Sequence, residues 1–144
     1  MKGRLTVVTL GVKDLNQSCD FYEQGLKWPV AMVNEHIVFF QLQGIILGLY
    51  PRHLLAEDAQ VKDQGSGFSG VTLAINVESE DEVDALFGRA ESSGAKVVKQ
   101  PQKVFWGGYS GYFSDPDGHL WEVAHNPFWT LDKTGSVVIP PQQG

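Results

Sequence analysis

The same order of predicted elements occurs twice along the 144-residue chain, and this repeat restricts the fold more than any other feature. An apolar run over 5–12, rich in β-branched residues, predicts a strand. Asp14 is typical of a helix N-cap and predicts that a helix follows. Two further strands are predicted on either side of a turn at Gly44. The pattern restarts roughly 65 residues later, with a strand over 71–77 and a helix capped by Ser79. Because neither half has enough apolar area to be stable alone, we expect both to pack into one α+β domain.

The boundaries of the two halves follow from changes in periodicity. Module one covers 5–51, and the polar, glycine-rich stretch 52–70 predicts a flexible crossover. Module two covers 71–126 and ends with strands over 106–113 and 120–125, which the turn 115–118 joins. The tail 127–144 predicts a small hairpin, and its last five residues are expected to fray.

Composition excludes several classes of protein. The net charge is −6 and the 11 Lys and Arg residues are scattered, so we expect no nucleic-acid partner, while the acidic balance would suit a cationic ligand. No apolar run is long enough to cross a membrane and no secretory leader precedes residue 5, so we expect a cytoplasmic protein without a membrane partner. Cys19 is the single cysteine, which excludes an intrachain disulfide, and we expect it to be inert.

Two stretches resemble a known superfamily. The pattern Val-x-Leu-x-Val-x-Asp-Leu at 8–15, followed by Phe-Tyr at 21–22 and Gly-Leu at 25–26, resembles the first module of the vicinal oxygen chelate superfamily, and 113–123 resembles the end of its second module. That superfamily includes glyoxalase I, extradiol dioxygenases, fosfomycin-modifying enzymes, methylmalonyl-CoA epimerase and bleomycin-binding resistance proteins. The resemblance covers 5–126. It implies paired βαβββ modules in a half-open, mostly antiparallel barrel, a ligand in the concave cavity, and a homodimer.

The resemblance also implies where a metal would bind. In the metal-dependent members the ligands come from equivalent strand positions, which correspond here to Val7, Gly48, Thr72 and Glu122. Only Glu122 is a good ligand, since valine and glycine side chains offer no lone pair and a neutral threonine is a poor donor. The four histidines show no short metal spacing on one face. We therefore predict no family-type metal and no other cofactor, with a divalent metal as the alternative.

Aromatic residues near Glu122 indicate a binding cavity. Residues 105–113 combine five aromatic side chains with three glycines, and strand alternation places Trp106 and Tyr112 on one face. We expect these two to line the cavity with Glu122, although aromatic residues could also simply fill a twisted sheet. Glu122 itself is either a functional carboxylate or an architectural one. The lesser candidates from facing strands are Phe39, Gln41, Thr72 and Asn76.

Three functions remain open at this point. The first is a small-molecule-binding protein, like the bleomycin-resistance branch with its link to antibiotic resistance, holding an aromatic or cationic compound beside Trp106, Tyr112 and Glu122. The second is a metal-dependent glyoxalase-like lyase or isomerase in which Glu122 is catalytic and moves a proton. The third is a partner-binding module without a small ligand.

Overall fold

The residues that the structure describes form ten strands and three α-helices. The computed structural model describes residue 3, residues 5–65 and residues 67–140. The strands are β1 Val7–Val12, β2 Val30–Val33, β3 Val38–Leu42, β4 Ile45–Pro51, β5 Leu73–Asn76, β6 Lys96–Lys103, β7 Tyr109–Ser114, β8 Leu120–His125, β9 Thr130–Leu131 and β10 Val137–Val138. The helices are α1 Leu15–Asp20, which continues into a π-helical turn over Phe21–Gly25, α2 Arg52–Asp58 and α3 Glu80–Ser92.

Each module forms one four-stranded mixed sheet. The strand orders are β1-β4-β3-β2 and β5-β8-β7-β6, and in each sheet the first strand pairs in parallel with the fourth while the other pairs are antiparallel. This equivalence confirms the two βαβββ modules and the α+β class. The described strands of one sheet form no ladder with the other, so the sheets are not closed into a barrel. In the part of the chain that the structure describes, no helix is both long and apolar enough to span a membrane.

Short-range signals position both main helices as the sequence predicts. The Asp14 carboxylate accepts a hydrogen bond from the Gln17 N–H at 3.0 Å, and the Ser79 hydroxyl accepts one from the Glu82 N–H at 3.1 Å. These side chains satisfy backbone donors that the first helical turn leaves unpaired. The hairpin between β3 and β4 turns at Gly44, whose φ of +74° is accessible to glycine.

The crossover and the tail differ from expectation. Residues 52–58 were expected to be part of a flexible crossover, but they form helix α2, which packs against β1 and β4. Two half-buried side chains of this short helix, Leu54 and Leu55, account for its packing. Strand β2 was not predicted, because its residues are mostly exposed and show no alternation. The C-terminal hairpin exists but is only two residues long on each side. Residues 141–144 lie outside the described part, so their predicted fraying stays a prediction.

One hydrophobic core joins the two modules. The Phe21 ring from module one lies 6.2 Å from the Phe113 ring of module two, and the Tyr22 ring lies 6.0 Å from Trp121. Phe21, Tyr22, Phe113 and Trp121 are all nearly inaccessible to solvent. The core therefore spans the junction, as expected of halves that are too small to fold separately.

Candidate functional site

The turn between β7 and β8 connects the two modules. The Tyr22 hydroxyl donates to the Asp115 carboxylate at 2.7 Å, and the same carboxylate accepts the N–H groups of Asp117 at 2.9 Å and His119 at 2.8 Å. The Trp121 indole N–H donates to the Tyr22 hydroxyl at 3.0 Å. Burial raises the pKa of Asp115, and burial beside that carboxylate raises the pKa of Tyr22. The turn thus joins the modules through the buried Asp115 carboxylate.

Two further contacts secure this turn against strand β1 and its end. The Lys13 N–H donates to the Asp117 carboxylate at 2.7 Å, and the His119 ring Nε2 lies 2.8 Å from the Gly11 carbonyl oxygen. The second contact is a hydrogen bond when His119 carries its proton on Nε2. Three side chains of one short turn, Asp115, Asp117 and His119, therefore contact module one.

Successive side chains of strand β8 point to opposite faces of the sheet. Trp121 and Val123 belong to the buried core, whereas Glu122, between them, points to the other face. In the sheet register Glu122 is flanked by Ala74 of β5 and Tyr112 of β7. The predicted alternation of Glu122 against its neighbours is confirmed.

Glu122 faces a cavity of about 600 Å³, which we call the Glu122 cavity. Two strands, the loop before β7 and the start of the tail supply its walls. The lining residues are Ala74, Asn76, Trp106, Glu122, Ala124, Asn126, Phe128 and Trp129. The sequence predicted Trp106, Glu122 and Asn76 but missed Asn126, Phe128 and Trp129. Two adjacent aromatic residues after Pro127 were the signal that could have indicated them.

Two glycines allow aromatic rings to pack directly onto the backbone of the loop before β7. A Cβ on Gly107, whose φ is +95°, would lie 2.8 Å from the Phe128 ring, and a Cβ on Gly108 would lie 1.8 Å from the Trp106 ring. Both rings therefore occupy space that any other residue would fill. This packing joins the tail to the loop and forms the aromatic wall of the cavity.

Tyr112 lies beside Glu122 as its cross-strand neighbour but is not among the residues that line the cavity. Burial, followed by the negative charge of Glu122, raises the pKa of Tyr112. The two side chains therefore lie on the same face of the sheet, as directly opposed residues of an antiparallel strand pair do.

The other predicted cavity residues lie elsewhere. Phe39 and Gln41 belong to the sheet of module one, where Phe39 pairs with Gly48 and the Gln41 amide donates to the Leu42 carbonyl at 3.0 Å. Thr72 precedes β5 and is exposed. The described cavity beside Glu122 does not include these three side chains.

The family's metal positions do not form a ligand set in this chain. Val7 and Thr72 offer no strong donor, and the ring of Phe39 lies 3.2 Å from where a Cβ of Gly48 would be, so the ring covers that position. Glu122 is a lone carboxylate among the four. Within residues 5–65 and 67–140, no three His, Cys, Asp or Glu side chains lie close enough to hold a metal ion. These residues do not fit the family metal.

Cys19 and His125 lie outside the candidate site. Burial, together with Glu23 and Asp20, raises the pKa of the Cys19 thiol, which disfavours the reactive thiolate. The His125 ring Nδ1 lies 3.2 Å from the Val77 carbonyl oxygen, a local contact at the end of β8.

Comparison with known proteins shows the family. The model of the Glyoxalase/Bleomycin resistance protein/Dioxygenase superfamily matches residues 4–123, and this chain belongs to that superfamily. Similar proteins include the metallothiol transferase FosB of Bacillus licheniformis, 32% identical over 114 residues that make up 78% of this chain and 68% of that protein. The FosB of Shouchella clausii is 27% identical over 117 residues, 81% of this chain and 75% of that protein.

A solved structure extends the similarity to nearly the whole chain. A glyoxalase-related enzyme from Fulvimarina pelagi superposes with a TM-score of 0.87 at 36% identity, covering 96% of this chain and 99% of that one. The superfamily match ends at residue 123, so Phe128 and Trp129 lie beyond it. Part of the cavity wall therefore comes from residues beyond the superfamily match.

Proposed function

We propose that this chain binds a small aromatic or cationic molecule in the Glu122 cavity and does so without the family metal. The observation that carries the proposal is one carboxylate set among three aromatic side chains, Trp106, Phe128 and Trp129, in a cavity of about 600 Å³. Aromatic faces attract cations and flat rings, and a carboxylate adds charge complementarity. The net charge of −6 would further favour a cationic ligand.

The absence of a ligand set at the family positions supports the metal-free form of this proposal. The relatives named FosB are metallothiol transferases, but Val7, Gly48 and Thr72 give this chain no comparable donors. Elemental analysis of protein purified without chelators should find no stoichiometric divalent ion; a stoichiometric ion whose binding is lost in Glu122→Gln would contradict the proposal.

A pair of probes tests the binding site directly. N-methylquinolinium is a flat cation, and 1-methylnaphthalene is its neutral counterpart of the same shape. We expect calorimetry and tryptophan fluorescence to give a dissociation constant below about 1 mM for the cation. Glu122→Gln should weaken the cation roughly tenfold and leave the neutral compound nearly unchanged.

Matched variants separate the cavity from the general surface. Trp106→Leu should weaken the binding of both probes. Phe105→Leu changes the neighbouring aromatic residue and should weaken the binding of neither, because the Phe105 side chain is fully exposed and does not line the cavity. Glu91→Gln removes an exposed carboxylate from α3 and controls for net charge. Binding weaker than millimolar for both probes, or equal losses in the variants and their controls, would refute the proposal.

We also propose that the protein is a cytoplasmic homodimer. An exposed apolar edge supports the homodimer, since Met32 and Val33 of edge strand β2 are 55% and 66% exposed. Light scattering on the eluted protein should give twice the 15.9 kDa chain mass. A monomer at micromolar concentration would contradict the dimer without affecting the cavity.

A further inference from the structure

A second cavity lies where the two sheets meet. Strands β1 and β5 are each an edge strand of their own sheet. Between β5 and the sheet of module one, mainly β4 with Val8 of β1, is a cavity of about 370 Å³, which we call the seam cavity. Its wall is largely apolar and includes Val8, Trp28, Ile46, Leu73, Ile75 and Trp121.

The seam cavity is an unfilled margin of the core. Val8, Leu73 and Ile75 pack against the core but remain half-buried, because no described strand pairs with the open edge of β1 or β5. Concave apolar surface that faces water is a favourable place for an apolar group, since such a group removes that surface from water. The wall of the seam cavity therefore favours the binding of a hydrocarbon group over a polar one.

The two cavities share a wall. Ala74 and Asn76, on the same face of β5, line both the seam cavity and the Glu122 cavity. The C-terminal segment also borders both cavities, with Phe128 and Trp129 at the Glu122 cavity and Gly135 at the seam cavity. A ligand held beside Glu122 can therefore continue around the edge of β5 into the seam.

We propose that the two cavities form one bipartite site for an amphiphile, whose flat or cationic head lies beside Glu122 and whose alkyl tail lies in the seam cavity. This inference rests on the proposed function for the position of the head. The seam volume of about 370 Å³ accommodates a chain of up to about twelve carbons, taking the volume of a methylene as close to the 30 Å³ of a water molecule. The ligand class is thus an organic cation with a medium-length alkyl chain.

A series of N-alkylquinolinium ions, from methyl through butyl and hexyl to octyl, tests the tail site separately from the head site. Each buried methylene should strengthen binding roughly threefold to fourfold. Ile46→Trp fills the seam with a side chain that strands tolerate, and should abolish the gain with chain length while retaining methyl binding. Ile139→Trp makes the same change at an exposed position, and in this variant affinity should still increase with chain length.

Tryptophan positions supply a second readout. In the double variant Trp106→Phe and Trp129→Phe, the remaining indoles are Trp28 and Trp121, and both line the seam cavity. Their emission should change with the octyl compound and much less with the methyl compound. This signal reports the tail even if Ile46→Trp does not fold.

The outcomes distinguish the two proposals. Two results would overturn the bipartite site and leave the proposed function standing. In the first, the methyl compound binds but affinity does not increase with alkyl chain length. In the second, affinity increases with chain length equally in Ile46→Trp and in the unchanged protein. Octyl binding without methyl binding, lost in Ile46→Trp, would support the seam and overturn the head site. No binding by any member would overturn both.

Discussion

Replacing Asp115 by alanine removes the acceptor at the junction of the modules. The carboxylate is 3% exposed and accepts hydrogen bonds from Tyr22, Asp117 and His119. The substitution leaves three donors without their partner, and the Tyr22 hydroxyl, in a fully buried residue, cannot turn to water. We expect a loss of about 3–5 kcal/mol in the free energy of unfolding, a large fraction of the 5–15 kcal/mol typical of a domain.

Asp115→Asn separates charge from shape. Its amide oxygen can still accept the two backbone N–H groups, but its NH₂ group cannot accept the Tyr22 hydroxyl proton. We expect this variant to lose about 1–2 kcal/mol. Urea unfolding followed by circular dichroism measures both losses, provided that the slope with denaturant is unchanged.

The pH dependence of this loss has a defined sign. Because burial raises the pKa of Asp115 above its ordinary value of 3.8, the folded state binds the proton more tightly than the unfolded chain. Stability contributed by Asp115 therefore falls as pH rises from about 3.8 through its folded pKa. The stability difference between the protein and Asp115→Asn should decrease over the same interval.

A second turn aspartate provides the control for Asp115. Asp132 accepts the N–H groups of Thr134 and Ser136 in the turn between β9 and β10, but it is exposed. Asp132→Ala should therefore change the unfolding midpoint far less than Asp115→Ala. If the two variants unfold at the same urea concentration, burial at the module junction is not what makes Asp115 important.

Three further predictions concern single side chains. Glu122→Gln removes a charge that raises the pKa of Tyr112, so phenolate absorbance should develop at lower pH; an unchanged titration would show that the two do not interact. Gly111→Ala would place a Cβ 2.7 Å from the Lys99 carbonyl oxygen and should lower the free energy of unfolding, measured in urea, by about 1–3 kcal/mol. Gly88→Ala is the control in α3, where a Cβ would meet nothing within 4 Å, and it should raise that free energy by about 0.5–1 kcal/mol. Ser79→Ala removes the cap of α3 and should cost about 1 kcal/mol, and no loss would refute its capping role.

Local signals made most of the fold predictable. The caps at Asp14 and Ser79 and the turn at Gly44 each depend on residues a few positions apart, and the structure contains all three. Helix α2 was missed because its stability comes from contacts with β1 and β4, which no local pattern records. Strand β2 was missed for the same reason, since pairing with β3 fixes its conformation.

The candidate site was predictable only where strand alternation applied. Alternation correctly set Glu122 against Trp121 and Val123, because β8 is a regular paired strand, whereas Trp106, predicted to share a strand face with Tyr112, lies in the loop before β7. Phe128 and Trp129 could not be assigned in this way, since they precede a strand of two residues and reach the cavity through the packing of Phe128 on Gly107. Phe39 and Gln41 were expected from a facing strand, yet the relative position of two sheets is a tertiary property that periodicity does not encode.

The β7–β8 hairpin shows how one short segment serves stability and binding at once. Asp115 joins the modules through Tyr22, and Trp121 extends that contact into the core. One residue further, Glu122 points to the opposite face, into the cavity. Because the carboxylate lies on a strand whose other face is locked into the core, its position is set by the same contacts that hold the modules together. Weakening the Asp115 junction should therefore weaken ligand binding at Glu122 and destabilise the fold, whereas Glu122→Gln should weaken binding without destabilising the fold.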